Sequence, residues 1–171
     1  FTCANVGPNN VTLTVTDNNG NTSTCSAVVT VQDNVPPVAV CRDITVQLDA
    51  TGNVTITGAD VNNSSSDACG IASLTVLPNS FTCANVGTNN VTLTVTDNNG
   101  NTSTCNAVVT VEDNVPPVAV CQDITVQLDA TGNVTITGAD VNNGSSDACG
   151  IASLTVLPNS FTCANVGTNN V

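Results

Sequence analysis

The 171-residue chain has one cation, Arg42, and 13 acidic residues, and it contains no His or Lys. Its formal net charge of −12 excludes nucleic-acid binding, which needs a basic surface, and it also argues against an anionic membrane surface. Because the usual general bases and amine nucleophiles are missing and no apolar run reaches the length of about 20 residues of a membrane span, we expect neither an enzyme nor membrane insertion.

An 80-residue repeat organises the chain. The motif FTCANVG occurs at positions 1, 81 and 161. The segments VQDNVPP and VEDNVPP, which end at Pro37 and Pro117, are typical of linkers because a proline pair interrupts strand hydrogen bonding. We therefore expect residues 1–33 to be the C-terminal part of one repeat, 34–113 to be a complete repeat, and 114–171 to begin the next.

Seven short strands are predicted within the complete repeat. In chain order they are VAVC at 38–41, ITVQL at 44–48, NVTIT at 53–57, IASLTVL at 71–77, FTCANV at 81–86, VTLTVT at 91–96 and TCNAVVTVE at 104–112. A polar loop is expected at 58–70, and no helix longer than one turn. The pattern predicts an all-β fold of tandem immunoglobulin-like antiparallel β-sandwich domains, each about 80 residues long.

Cysteines are the expected staples of these small domains. The complete repeat contains four, without the C-x₂-C spacing of a metal site, which indicates the disulfide framework of an extracellular protein. Parallel pairing of the first and last strands would bring Cys41 beside Cys105. Cys69 and Cys83 flank one strand and a turn, so they could meet locally.

Three pairings of four cysteines are open. We expect the bridges Cys41–Cys105, Cys69–Cys83 and Cys149–Cys163, with Cys3, Cys25 and Cys121 unpaired. The alternative joins cysteines across the linker, as Cys25–Cys41 and Cys105–Cys121.

The ordered motifs of one repeat resemble the hyalin repeat (HYR) family. The similarity lies in DNVPPVAVCRDITV from position 33, SDACGIASL from position 66 and VGTNNVTLTVTDNNGNTSTCNAVVTVED from position 86. The resemblance implies an immunoglobulin-like extracellular module associated with adhesion. The near-identical copies, rich in Thr and Asn, are also similar to repeat regions of giant surface adhesins in Bacteroidetes, including gliding-motility filaments.

The hairpin sequence DNNGN holds one group of candidate calcium ligands, Asp97, Asn99 and Asn101. Their alternate spacing is that of the start of a calcium loop, but Gly100 is fourth in the motif rather than sixth. Asn-Gly is also the strongest signal for a two-residue hairpin turn. A plain turn therefore competes with the metal site.

The linkers hold the second group, Asp33 and Asn34 in one copy and Asp113 and Asn114 in the next. Calcium bound there would stiffen the joint between domains, and its preference for oxygen ligands and negative charge suits this chain. An Asp-Asn pair is also ordinary in loops. No cofactor is required by either interpretation.

These patterns together predict a structural and adhesive repeat region of an extracellular cell-surface filament, built as a stiff stalk of disulfide-stapled domains. Its expected partners are neighbouring identical repeats, further copies that associate into a fibre, and an unidentified surface or glycan ligand. The alternative is a spacer or ligand-binding module attached to a secreted enzyme. Near identity of the copies favours the stalk, because a long array tolerates interchangeable repeats.

Overall fold

The computed structural model describes all 171 residues, of which 43% are in strands or isolated β-bridges and 10% in helices. The strands are β1 (Gly7–Thr16), β2 (Thr22–Val31), β3 (Ile44–Gln47), β4 (Asn53–Thr55), β5 (Ile71–Leu77), β6 (Ser80–Thr82), β7 (Gly87–Asp97), β8 (Thr102–Glu112), β9 (Asn133–Thr135) and β10 (Ser160–Thr162). The helices are α1 (Gly58–Val61), α2 (Gly138–Val141) and three short 3-10 turns at Cys3–Asn5, Cys83–Asn85 and Cys163–Asn165. None of them is long and apolar enough to cross a membrane.

Two compact units make up the fold. The first comprises residues 1–45, 55–80 and 88–110, and the second comprises residues 46–54, 81–87 and 111–171. Each unit therefore contains residues from two successive copies of the sequence repeat.

The largest sheet orders its four strands β3-β8-β7-β5. β5 pairs antiparallel with β7, with Val76 opposite Leu93. Val91, Leu93 and Val95 on β7 and Val109 on β8 are each at most 1% exposed. Alternate residues of a strand point to the same face, so the alternation of VTLTVT places its apolar residues on the buried side, as the sequence predicts.

β3 lies beside β8 and runs parallel to it. The backbone N–H of Val108 donates to Oδ1 of Asp43 at 2.7 Å. Directly after β3, the N–H of Leu48 donates to the carbonyl of Glu112 at 2.9 Å. The residue numbers increase in the same direction on both sides of the contact, from Asp43 to Leu48 and from Val108 to Glu112. This is the parallel arrangement expected for the first and last strands of the repeat.

β1 and β2 repeat the sequence of β7 and β8 but have no covering strands. They pair antiparallel along their whole length, and no third strand extends their sheet. Leu13 and Val15 are 58% and 57% exposed, whereas their counterparts Leu93 and Val95 are fully buried. Burial of this face therefore depends on the neighbouring strands.

The second unit has a small core of its own. One cluster of buried residues comprises Ile136, Val141 and Phe161, with Val134 and Val156 packed against them. β9 and β10 pair antiparallel, with Phe161 opposite Val134.

Two segments of the second unit have the sequences of β3 and β5 but form no strand. They are residues 124–127 and 151–157. Ile124 and Leu154 within them are 37% and 42% exposed. A strand needs a hydrogen-bonded neighbour, and no copy of β7 and β8 lies beside these segments.

Residues 38–41 and 81–86 form less strand than predicted. The first segment makes only isolated bridges. The second pairs only as far as β6, because a 3-10 turn begins at Cys83. Oδ1 of Asn85 accepts the backbone N–H of Thr82 at 2.9 Å, which caps this turn.

One turn of helix, α1, lies in the predicted loop 58–70. Oδ2 of Asp60 accepts the N–H and the hydroxyl of Thr57, each at 2.7 Å, in a capping arrangement. Gly58 allows close packing on β5, because a Cβ there would lie 2.6 Å from the backbone of Leu74. The helices of four residues agree with the expectation that none exceeds one turn.

Candidate functional site

Three disulfides form overlapping loops along the chain. They join Cys3 to Cys69, Cys41 to Cys105 and Cys83 to Cys149, with Cα–Cα distances of 5.2, 5.8 and 5.1 Å. Each loop begins before the preceding one closes. The first and third bridges link the cysteine of FTCANVG in one copy to the cysteine of SDACG in the next, so consecutive copies are joined covalently.

The Cys41–Cys105 bridge is the one expected from parallel pairing of the first and last strands. Cys25 and Cys121 are free and exposed, also as expected. The alternative bridges across the linker are therefore absent.

The two predicted local bridges, Cys69–Cys83 and Cys149–Cys163, are corrected by the structure. Cys69 is bonded instead to Cys3, which was expected to be unpaired, and Cys83 is bonded to Cys149. Cys163 is free.

The paths of β5 and β6 give the physical reason. Local pairing assumed that the strands on either side of Pro78 fold back on each other. β5 instead joins the four-stranded sheet, and β6 pairs with β4 in a separate sheet. The seven residues of β5 span about 23 Å at 3.3 Å per residue, and they separate Cys69 from Cys83.

The sequence repeat explains why this pairing could not be predicted. Every cysteine position recurs after 80 residues. Bridges within one copy and bridges between consecutive copies therefore fit the same periodic pattern, and no spacing in the sequence distinguishes them.

The Cys83–Cys149 bridge lies against a tight turn at Gly52. This glycine has a φ of +75°, and a Cβ there would lie 2.6 Å from Sγ of Cys83. Only glycine combines the left-handed backbone with the space for the sulfur. The sequence indicated a turn at Thr51-Gly52, but not that a bridge packs against it.

Aspartates close the turns around the bridges. Oδ1 of Asp49 accepts the hydroxyl and the N–H of Thr51, at 2.7 and 2.8 Å, and the N–H of Asn53 at 3.1 Å. The hydrogen bond from the Thr51 hydroxyl, together with those from the backbone, holds the pKa of Asp49 below its ordinary value. Asp129 has the same arrangement, and hydrogen bonds from Thr131 and Asn133 likewise lower its pKa. These carboxylates act as hydrogen-bond acceptors within turns.

Asp97 closes the hairpin between β7 and β8 and is only 1% exposed. Its carboxylate accepts the N–H of Asn99 at 2.9 Å, and the N–H and side-chain amide of Asn101 at 2.8 Å each. Burial favours the neutral form, but these hydrogen bonds outweigh it and lower the pKa of Asp97. The carboxylate is thus engaged within its own turn.

The structure brings the two candidate calcium groups together at Asp33. The side-chain amide of Asn99 donates to Oδ2 of Asp33 at 2.7 Å, and that of Asn101 donates to the Asp33 carbonyl at 3.1 Å. Oδ1 of Asp33 accepts the N–H of Val35 at 3.1 Å, and Asn34 is exposed. The hairpin turn and the linker, separate candidates in the sequence, are therefore in contact.

A second carboxylate, that of Asp67, lies beside Asp33. One oxygen of each and Sγ of Cys69 are all within 4.8 Å of one another, and the next copy repeats the group as Asp113, Asp147 and Cys149. Both sulfurs are in disulfides, and a disulfide sulfur lacks the thiolate character of a metal ligand. In each group, only the two carboxylates remain as candidate metal ligands.

Asn114 in the second linker contacts other side chains. Its amide donates to Oε1 of Gln47 at 2.6 Å and to Oε2 of Glu112 at 3.3 Å. The amide oxygen is the only part of this side chain that could ligate a cation. Calcium binding at either linker stays a prediction.

No family model matches the chain, and no curated protein matches it. The resemblance to the hyalin repeat rests on the motifs quoted above.

Proposed function

We propose that the chain is a stretch of tandem immunoglobulin-like repeats from an extracellular filament at a cell surface, where it acts as a stiff, non-enzymatic stalk. The observation that carries the proposal is the set of overlapping disulfide loops that join consecutive copies. Three disulfides in a chain of this size are typical of secreted or extracellular proteins. The cell-surface location and the adhesive role belong to the proposal.

The bridges between copies shorten the covalent path that tension follows. Force entering at Cys3 crosses to Cys69, follows the backbone to Cys83 and crosses to Cys149. Each of these bridges bypasses 66 residues, so between Cys3 and Cys149 tension follows the backbone only from Cys69 to Cys83. A short covalent path limits extension, which is the property a load-bearing stalk needs.

The Cys41–Cys105 bridge has a different role, because it lies off this path. It closes a loop of 64 residues and joins Cys41, which precedes β3, to Cys105 on β8. On the chain-entropy model a loop of this length stabilises the folded state by about 4 kcal/mol. Such a staple compensates for a core that contains one aromatic residue per copy.

The strand arrangement supports a sandwich in each repeat. The strands of the complete copy divide between a four-stranded sheet, β3-β8-β7-β5, and a separate sheet of β4 and β6. Asp49, Asp97 and Asp129 serve as acceptors in turns, which supports a role without acid–base catalysis. The partners that the bridges support are the neighbouring copies of the same chain.

Single-molecule stretching of the chain by its two ends tests the load path. The reduced protein should extend further than the oxidised protein by the 132 residues that the two inter-copy bridges bypass, about 450 Å at 3.4 Å per residue. The predicted set of bridges would bypass only 78 residues, about 265 Å, which are the 64 closed by Cys41–Cys105 and the 14 closed by Cys149–Cys163. Equal contour lengths for the oxidised and reduced protein would overturn the stalk proposal.

Paired substitutions make this test specific. Replacing Cys83 and Cys149 together by Ser should reduce the bypass from 132 to 74 residues, because tension then follows the 28 residues from Cys69 back to Cys41 and crosses to Cys105. Replacing Cys41 and Cys105 together by Ser is the matched control, since that bridge lies off the path. A control variant that shortens the difference as much as the first pair would show that the path is wrong.

A further inference from the structure

The loop that follows α2 contains an Asn-Gly pair, Asn143-Gly144. Both residues are exposed, and no hydrogen bond engages the side-chain amide of Asn143 or the N–H of Gly144. The base of the loop is fixed, because the Asn143 N–H donates to the carbonyl of Val120 at 2.8 Å. Oδ1 of Asn142 also accepts the N–H of Ser145, at 3.0 Å. A side-chain amide and a backbone nitrogen are therefore adjacent, solvated and without partners.

The same loop in the complete copy has Ser64 in place of Gly144. Asn63 and Ser64 are exposed as well, and the Asn63 N–H donates to the carbonyl of Val40 at 2.8 Å, so the loop is held in the same way within a complete repeat. Ser64 has a φ of +63° and Gly144 a φ of +82°. The two loops thus share one backbone shape and differ in the residue that follows the asparagine.

The other two Asn-Gly pairs, Asn19-Gly20 and Asn99-Gly100, lie in hairpin turns. In each turn the glycine N–H donates to an aspartate carbonyl, at 3.1 Å in the first hairpin and 3.3 Å in the second. The side-chain amide of Asn99 also donates to Oδ2 of Asp33 at 2.7 Å. A backbone nitrogen whose proton is held in a hydrogen bond is a weaker nucleophile, and a side chain held by another group cannot turn towards it.

We propose that Asn143 is a site of spontaneous deamidation, and that Asn63 in the equivalent loop is protected because a serine follows it. A serine side chain hinders the approach of the backbone nitrogen to the amide carbon, whereas glycine has no side chain and the greatest backbone freedom. The space around Gly144 is open, since a Cβ there would meet no other atom within 4 Å. The inference follows from the two loops and does not rest on the stalk proposal.

The reaction requires water and no other reactant. The backbone nitrogen of Gly144 bonds to Cγ of Asn143 as the Cγ–Nδ2 bond breaks, and ammonia leaves with the proton that the glycine nitrogen loses. Water then opens the resulting cyclic imide. Opening at Cγ gives aspartate, and opening at the main-chain carbonyl gives isoaspartate, in which the backbone runs through the side chain. No electrons are transferred in either step.

Both products change a loop that forms part of the fold. Each adds a negative charge between Asp140 and Asp147, and isoaspartate also lengthens the backbone beside the N–H that bonds to Val120. Like charges so close together repel each other. The residue after this asparagine, serine or glycine, therefore decides which copies of the repeat change with age.

Prolonged incubation of the folded chain, with its disulfides intact, in a mildly alkaline buffer made with heavy-oxygen water tests the proposal. Peptide mapping should find the Asn143 amide converted to labelled aspartate and isoaspartate, while Asn99 and Asn63 keep their amides. After reduction and unfolding in urea, Asn99 should convert as fast as Asn143, because both are then followed by an unrestrained glycine.

Exchange of the serine and the glycine supplies matched variants, because each resulting loop sequence already occurs in the other copy. Gly144→Ser should abolish conversion of Asn143, and Ser64→Gly should create a second site at Asn63. An Asn143 amide that persists in the folded chain while the unfolded chain loses it would overturn the proposal. So would equal conversion of Asn99 and Asn143 in the folded chain, or a Ser64→Gly variant that keeps the Asn63 amide.

Discussion

Two leucines at equivalent positions of two hairpins allow the effect of local sequence to be distinguished from that of tertiary contacts. Leu13 and Leu93 occupy the same position of VTLTVT, but the first is 58% exposed and the second is fully buried. We expect Leu93→Ala to lower the free energy of unfolding and Leu13→Ala to leave it nearly unchanged.

The magnitude follows from the atoms removed. Leu→Ala deletes three carbon groups, whose burial contributes about 2.4 kcal/mol at 0.8 kcal/mol per group. The cavity left among Val91, Val95 and Val109, which are all buried, raises the loss at Leu93 to about 3–4 kcal/mol. Leu13 already exposes most of its side chain, so its replacement should change the free energy of unfolding by at most about 0.5 kcal/mol.

Urea unfolding followed by far-ultraviolet circular dichroism measures both losses. The disulfides should be kept intact, and the protein concentration should be one at which sedimentation shows a monomer. For an m-value of about 2 kcal/mol/M, the Leu93→Ala midpoint should fall by about 1.5–2 M with the slope unchanged. Equal losses for the two variants, or none for Leu93→Ala, would refute the assignment of burial to the neighbouring strands.

Two further predictions concern protons and calcium. Hydrogen bonds from neighbouring side chains and backbone N–H groups lower the pKa of Asp17, Asp49, Asp60, Asp129 and Asp140. Their contribution to the free energy of unfolding should therefore be complete above about pH 4 and be lost as the pH falls through the lower pKa values of the folded state, which thermal unfolding in an acid series would measure. Asp49→Asn should weaken this dependence, and a midpoint independent of pH in acid would contradict it. Calcium added after chelation should raise the thermal midpoint, as the predicted linker site requires, and Asp33→Asn should remove the rise, because the Asp33 carboxylate lies where the linker contacts the hairpin turn. A midpoint unchanged by calcium would contradict the calcium prediction.

Local features of the sequence determined most of the secondary structure. Strict alternation in VTLTVT predicted the buried face of β7, and the IASLTVL run predicted β5 at the bounds the structure shows. Asn-Gly marked the β7–β8 hairpin and Thr-Gly marked the turn before β4, because glycine adopts the positive φ that these turns need. The Cys41–Cys105 bridge could also be predicted from the sequence, since it follows from parallel pairing of two predicted strands.

Tertiary structure alone decided the partners of Cys69 and Cys83 and the burial of each copy of the hairpin. Local propensities are nearly the same in every copy, so they cannot distinguish Leu13 from Leu93, or residues 44–47 from 124–127. Strand pairing, burial and disulfide geometry depend on residues distant in the chain, and those neighbours differ from copy to copy. A repeat therefore specifies its own elements, while the copies beside it decide which of them pair, which are buried and which cysteines meet.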